Sequence, residues 1–183
     1  MKIVCNVILL SLGVACLASV GASAATPEAK AVYKQSMDSA AATYKASRAQ
    51  CDSITGNPKD VCIAQARAAR VKTEADAASL YNNTLDAYTK AREQIAGANY
   101  EVDRTRCDAL TGNDKDVCIK QAKATRVAAL ADAKADKKVI EARSDAREDK
   151  RIAEYKVASE RCDALAGSAK DNCVAAAKAQ FGY

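Results

Sequence analysis

Six cysteines in three identically spaced pairs are the residues of this chain best suited to chemistry. Ten residues separate the members of each pair, which are Cys51 and Cys62, Cys107 and Cys118, and Cys162 and Cys173. Two sulfurs at this spacing can form a disulfide, or as thiolates they can bind a soft metal such as Zn²⁺ or Cu(I). A tetrahedral zinc site needs four ligands, so a metal would require two pairs to meet.

Other catalytic chemistry has little support in the sequence. The chain contains no His, no Gly-rich phosphate loop, no G-x-S-x-G and no C-x-x-C. An Asp follows the first cysteine and a Lys precedes the second by three residues in every pair: Asp52 and Lys59, Asp108 and Lys115, Asp163 and Lys170. We expect these to form salt bridges across a turn, and the sequence predicts no enzyme, no catalytic residue and no cofactor.

The pairs belong to a repeat that predicts helical hairpins. Segments 44–69, 100–125 and 155–180 align without gaps, with periods of 56 and 55 residues. A Gly followed by Asn or Ser lies midway between the cysteines, at Gly56-Asn57, Gly112-Asn113 and Gly167-Ser168. Glycine suits the left-handed position that ends a helix, and Asn or Ser suits the N-cap of the next one. Each repeat is therefore predicted to be a helix, a tight turn and a second helix.

Symmetry about each turn predicts the disulfide pairing. One cysteine lies five residues before the glycine and the other five residues after the capping residue. Antiparallel helices pack about 8–10 Å apart with Cα atoms about 2.3 Å from each axis, which leaves inward-facing Cα atoms roughly 4–5.5 Å apart. That distance permits a disulfide. Of the 15 connectivities open to six cysteines, we expect the one within hairpins.

One tyrosine precedes each first cysteine by seven residues, at Tyr44, Tyr100 and Tyr155. Seven residues is two helical turns, so each ring should lie on the face of its cysteine, one layer deeper. We expect the rings to pack between the helices; a ligand-binding aromatic stripe is the alternative.

The predicted fold is all-α, an elongated up-down array of three to four helices stapled by disulfides at the turns. The helices are expected over roughly 27–55, 58–111, 114–166 and 169–181, which puts the first and third turns at the same end. Alanine is abundant while Ile, Leu, Val and Phe are scarce, so the core should be thin and depend on its crosslinks. Two segments of poor helix formers, 82–84 and 97–99, could interrupt the long helices. The highly charged segment 132–151 is expected to be an exposed helix with little core beneath it, and its continuity stays open.

The first 24 residues read as a signal peptide. Met1-Lys2 precedes an uncharged apolar run from 3 to 20, and Ala22-Ser23-Ala24 fits a signal peptidase site. The mature domain would then be 25–183, periplasmic or secreted. Two alternatives are an uncleaved anchor and lipidation at Cys16.

The charge pattern argues against a nucleic-acid partner. The net charge of +5 is mild, and acidic and basic residues alternate along the chain, as on solvated helix faces. We expect an envelope protein or polymer as partner and no stable membrane span after signal cleavage. The sequence leaves the oligomeric state open.

The repeated motif C-D-A-L-x-G-x-x-K-D-x-C, within an Ala-, Lys- and Asp-rich exported chain, resembles small periplasmic proteins of Gram-negative bacteria labelled TolA-like or cell envelope biogenesis protein. The resemblance covers residues 44–177 and implies an envelope protein. The expected function is a structural or interaction scaffold of the envelope. Thiol-based Cu/Zn or oxidant buffering and a periplasmic holdase chaperone are the alternatives.

Overall fold

The structure, a computed structural model, describes residues 26–183 and confirms the all-α class. Its helices are α1 (Pro27–Gln50), α2 (Asn57–Asn82), α3 (Leu85–Cys107), α4 (Gly112–Cys162) and α5 (Gly167–Phe181), and a 3₁₀ turn (Cys51–Ser53) follows α1. The described range contains no strand, and none of its helices has the length and apolarity needed to cross a membrane. The predicted signal peptide (1–24) and the lipidation alternative at Cys16 lie outside the described residues.

A break at residues 82–84 divides the second predicted helix in two. Asn83 ends α2 in the left-handed conformation (φ 47°), and its N–H donates to the Ser79 carbonyl at 2.8 Å. Thr84 then caps α3 by accepting a hydrogen bond from the Ala87 N–H at 3.1 Å. The expectation of a single helix over 58–111 is therefore wrong, and the described chain has five α-helices where three to four were predicted. Segment 97–99 is continuous helix, and the exposed helix predicted for 132–151 is confirmed.

The break between α2 and α3 changes which hairpin turns lie at the same end of the helix array. Because α2 folds back along α3, the first and second turns lie side by side, and Asn57 Nδ2 donates to the Thr105 carbonyl at 2.7 Å. The predicted pairing of the first and third turns is therefore wrong. The third turn lies at the far end of α4, whose 51 residues span about 77 Å.

The helices form an open layer in which each packs only against its neighbours in the chain. Buried side chains in the described range are almost all Ala or Cys, and Val102 is the largest of them. The first cysteine of each pair is the side chain most completely removed from solvent. Between α3 and α5, residues 138–150 of α4 are exposed. The predicted thin, alanine-rich core is confirmed.

Candidate functional site

The three cysteine pairs form the disulfides that the repeat predicts. Their Cα atoms are 5.7, 5.6 and 5.6 Å apart in Cys51–Cys62, Cys107–Cys118 and Cys162–Cys173. The first cysteine of each pair is buried and the second is half-buried. An alanine four residues after the second cysteine is also buried in each hairpin; these are Ala66, Ala122 and Ala177. Four residues is about one helical turn, so a cystine and a small side chain form two successive layers that hold the helices close.

The turns differ from the prediction in where the helices end. The preceding helices stop before the glycine, at Gln50, Cys107 and Cys162. The glycines instead stand at the start of the following helices, with φ of 65°, 56° and 55° at Gly56, Gly112 and Gly167. Their positive φ agrees with the prediction, but the ψ of −158° puts Gly56 outside the left-handed helical region, and the predicted place of the glycines at the end of the preceding helix is wrong.

The N-cap role predicted for the residue after each glycine is also wrong. Asn57, Asn113 and Ser168 are already helical, and α2, α4 and α5 begin without a capping hydrogen bond from a side chain. Asn57 instead uses its side-chain amide to join the first turn to α3. In the first turn Gly56 occupies the N-cap position, and its carbonyl accepts from the Lys59 N–H at 2.9 Å. In the other two turns the N-cap lies one residue before the glycine, at Thr111 and Ala166.

A salt bridge crosses every turn, as the Asp and Lys spacing predicts. The Lys Nζ to Asp Oδ1 distances are 3.3 Å for Lys59–Asp52, 2.8 Å for Lys115–Asp108 and 2.8 Å for Lys170–Asp163. In the first turn Arg48 also donates to Asp52 at 2.7 Å. The hydrogen bonds from Arg48 and Lys59 lower the pKa of Asp52, and the one from Lys115 lowers the pKa of Asp108. Both carboxylates are exposed, so these pairs set turn geometry more than stability.

The repeat tyrosines pack between the helices, half-buried. Arg70 lies over the Tyr44 ring at 5.5 Å, and Arg126 lies over the Tyr100 ring at 5.4 Å. Both contacts are cation–π interactions at equivalent positions of the first two hairpins.

The third hairpin replaces this arginine with Phe181, which the repeat analysis missed. Tyr155 contacts Phe181 edge-on at 6.2 Å and Tyr183 at 4.4 Å between ring centroids. Arg151 lies over Tyr183 at 4.5 Å and donates to the Phe181 carbonyl at the end of α5. An extension of the repeat alignment by one turn beyond residue 180 would have shown the substitution.

The arrangement keeps the third cystine away from the other two. Cys118 and Cys162 are 44 residues apart on one helix, a separation of about 66 Å. Within residues 26–183, no three or more His, Cys, Asp or Glu side chains are grouped as metal ligands. The grooves between the helices are open; one of about 460 Å³ runs beside Cys107–Cys118 and is lined by Asp103, Arg106 and Val117 among others.

Comparison with known proteins assigns no family to the chain. No family model matches it, and neither the curated proteins nor the solved structures include a significant match. The resemblance to TolA-like envelope proteins therefore stays a hypothesis.

Proposed function

We propose that this protein is an exported structural or interaction protein of the cell envelope, a disulfide-stapled helical scaffold. The observation that carries the proposal is α4. One helix joins a stapled body, formed by α1 to α3 and the first half of α4, to a separate stapled hairpin about 66 Å away. Such a shape suits a spacer that holds two attachment points apart.

The disulfides support an extracytoplasmic location. All six cysteines within residues 26–183 are paired, and structural disulfides persist in oxidising compartments such as the periplasm. The proposed signal peptide over residues 1–24 would supply the route of export.

A genetic complementation experiment tests the scaffold role. The strain lacking the gene is assayed for detergent sensitivity and envelope leakage, then complemented with wild type or with a variant that lacks residues 138–148. Eleven residues make about three helical turns, so the deletion keeps the helix in phase and shortens α4 by about 16 Å. We expect the deletion strain to be sensitive, wild type to restore integrity and the shortened variant to restore it poorly. No sensitivity under any envelope stress would count against the proposal.

Thiol titration separates the scaffold from thiol-based buffering. Protein purified from the periplasm should show no free thiols, because a cystine offers no thiolate for Cu(I) or Zn²⁺. Six free thiols with bound copper or zinc would instead support buffering. Suppression of the aggregation of a denatured outer-membrane protein would support the holdase alternative.

A further inference from the structure

One face of α4 carries every helix that packs against it. Three residues mark this face: Ala133 is buried by α3, Arg151 bonds to α5, and Cys162 is bridged to α5. They are separated by 18 and 11 residues. These intervals are close to five and three whole turns, so all three residues lie on one side of the helix. The opposite side has no neighbour within the described chain.

An apolar stripe runs along that opposite side. Ala135, Val139, Ala142 and Ala146 follow one another at intervals of four, three and four residues, the spacing of a coiled-coil seam. The same side also includes Ala124, Ala128 and Ala131. All of these residues are exposed, and Val139 keeps 46% of its surface in solvent.

The charges beside this stripe form an inverted pattern. Lys138 and Asp145 each come directly before a stripe residue, so they lie on one flank of the stripe. Asp136 and Arg143 each come directly after a stripe residue, so they lie on the other flank. On both flanks the sign reverses between the first and second halves. Lys134 and Asp149 extend the reversal outward.

This pattern matches an antiparallel second copy of the same helix. We place a two-fold axis between Val139 and Ala142, perpendicular to the helices. Two residues, one from each copy, then lie at the same height when their numbers add up to about 281, as 139 and 142 do. Lys138 then faces the Asp145 of the other copy, Asp136 faces Arg143, and Lys134 faces Asp149. Every one of these contacts joins opposite charges. A parallel pair would instead bring opposite flanks together and set Lys138 against the Arg143 of the other copy, a like-charge contact.

Most of these charges are free to make such contacts. The ion pairs of α4 between 132 and 151 use Asp136, Lys137, Glu141, Glu148 and Arg151. Within the described chain, Lys134, Lys138, Arg143, Asp145 and Asp149 therefore have no ion-pair partner. Asp136 already accepts from Arg92 at 2.6 Å, but its side chain remains 62% exposed.

We propose that two copies of this protein associate through the back of α4, antiparallel, about an axis near residues 139–142. The alanine seam allows the two α4 helices to approach closely, and the flanking ion pairs set their direction. The other helices of both copies stand on the outer sides, where they do not obstruct the contact. The proposal does not depend on the envelope role.

Charge reversal with compensation tests both the contact and its direction. Lys134→Glu with Lys138→Glu places four pairs of like charges across the two-fold seam, which should weaken self-association about tenfold or more. Adding Asp145→Lys and Asp149→Lys to the same chain restores opposite charges only if the helices are antiparallel. The matched control is Lys30→Glu with Lys34→Glu, which changes two exposed lysines at the same spacing on α1, away from α4.

Sedimentation equilibrium over a concentration series gives the dissociation constants, and circular dichroism checks that each variant is folded. We expect wild type and the control to associate equally, the double variant to be mostly monomeric and the quadruple variant to recover. A wild type that stays monomeric throughout the series would overturn the proposal. So would a double variant that associates as tightly as wild type, or a quadruple variant that does not recover.

Discussion

The three turn glycines have positive φ, a backbone conformation that other residues adopt at a cost. Gly112 has φ 56°, and a Cβ placed on it would meet open space. The penalty for Gly112→Ala is therefore conformational, not steric, and we expect a loss of about 1–2 kcal/mol in the free energy of unfolding. Urea denaturation followed by circular dichroism measures it.

A second glycine supplies the opposite prediction and a control. Gly97 lies within α3 at negative φ, with no atom near the position of an added Cβ. Gly97→Ala should raise the free energy of unfolding by up to about 1 kcal/mol, because glycine is a poor residue in a helix interior. If both alanine variants shifted stability in the same direction, the assignment of the turn conformation would be wrong.

The salt bridge of the second turn should make a small, acid-sensitive contribution to stability. The hydrogen bond from Lys115 lowers the pKa of Asp108 from its ordinary value of 3.8. A group with a lowered folded-state pKa contributes stability above its unfolded pKa and loses it as the pH falls through the folded pKa. We therefore expect the melting temperature to fall below about pH 4, and to fall less in Asp108→Asn. Thermal melts from pH 7 to pH 2 test this, with Asp38→Asn on α1 as an exposed control that should behave as wild type.

At the scale of the element, α5 depends on its staple more than any other helix. Its 15 residues pack against α4 alone, and an isolated helix of this length is marginal in water. Cys162→Ser with Cys173→Ser should release α5 while the body formed by α1 to α3 and the first half of α4 stays folded. Hydrogen exchange should lose protection in residues 167–181 only. Loss of protection throughout the chain would show that the third hairpin is not an independent unit.

Reduction of all three disulfides should loosen the hairpins before it melts the helices. Each loop contributes roughly 3 kcal/mol in the chain-entropy model, which is large beside the few kcal/mol expected of an alanine-rich core. We expect reduction to lower and broaden the thermal transition, while helicity at low temperature falls only in part because alanine is a strong helix former. Circular dichroism with and without reductant measures both effects. An unchanged melt with fully reduced thiols would mean that the cysteines are not structural.

For the whole molecule, the dominant feature is the distance that α4 maintains between the second and third turns. Labels at Thr111 and Ala166, which flank α4, should report a separation of about 80 Å, shortened by about 16 Å in the variant that lacks residues 138–148. Single-molecule energy transfer at high dilution measures this without interference from self-association. A broad distribution of short distances would show that the exposed middle of α4 bends or melts.

Local features of this protein follow from the sequence alone. The repeat located the three turns, the disulfide pairs and the cross-turn salt bridges, because each joins residues eleven or fewer positions apart. Hairpin contacts of that range are set by helix spacing and turn chemistry. The signal peptide and the envelope role also come from sequence reasoning and stay predictions.

Tertiary structure decided how the hairpins are arranged. Each cap at Asn83 and Thr84 favours a turn by only about 1 kcal/mol. The sequence therefore indicates a possible helix break at this segment but does not decide whether the chain turns there. Packing of α2 along α3 favours the turn, and Asn57 finds its acceptor 48 residues away on Thr105. Segment 132–151, which the sequence predicts to be an exposed helix, is helical throughout, because Ala, Lys, Glu and Arg are strong helix formers. Long-range packing, which no local pattern encodes, therefore placed two staples together and the third at the far end of α4.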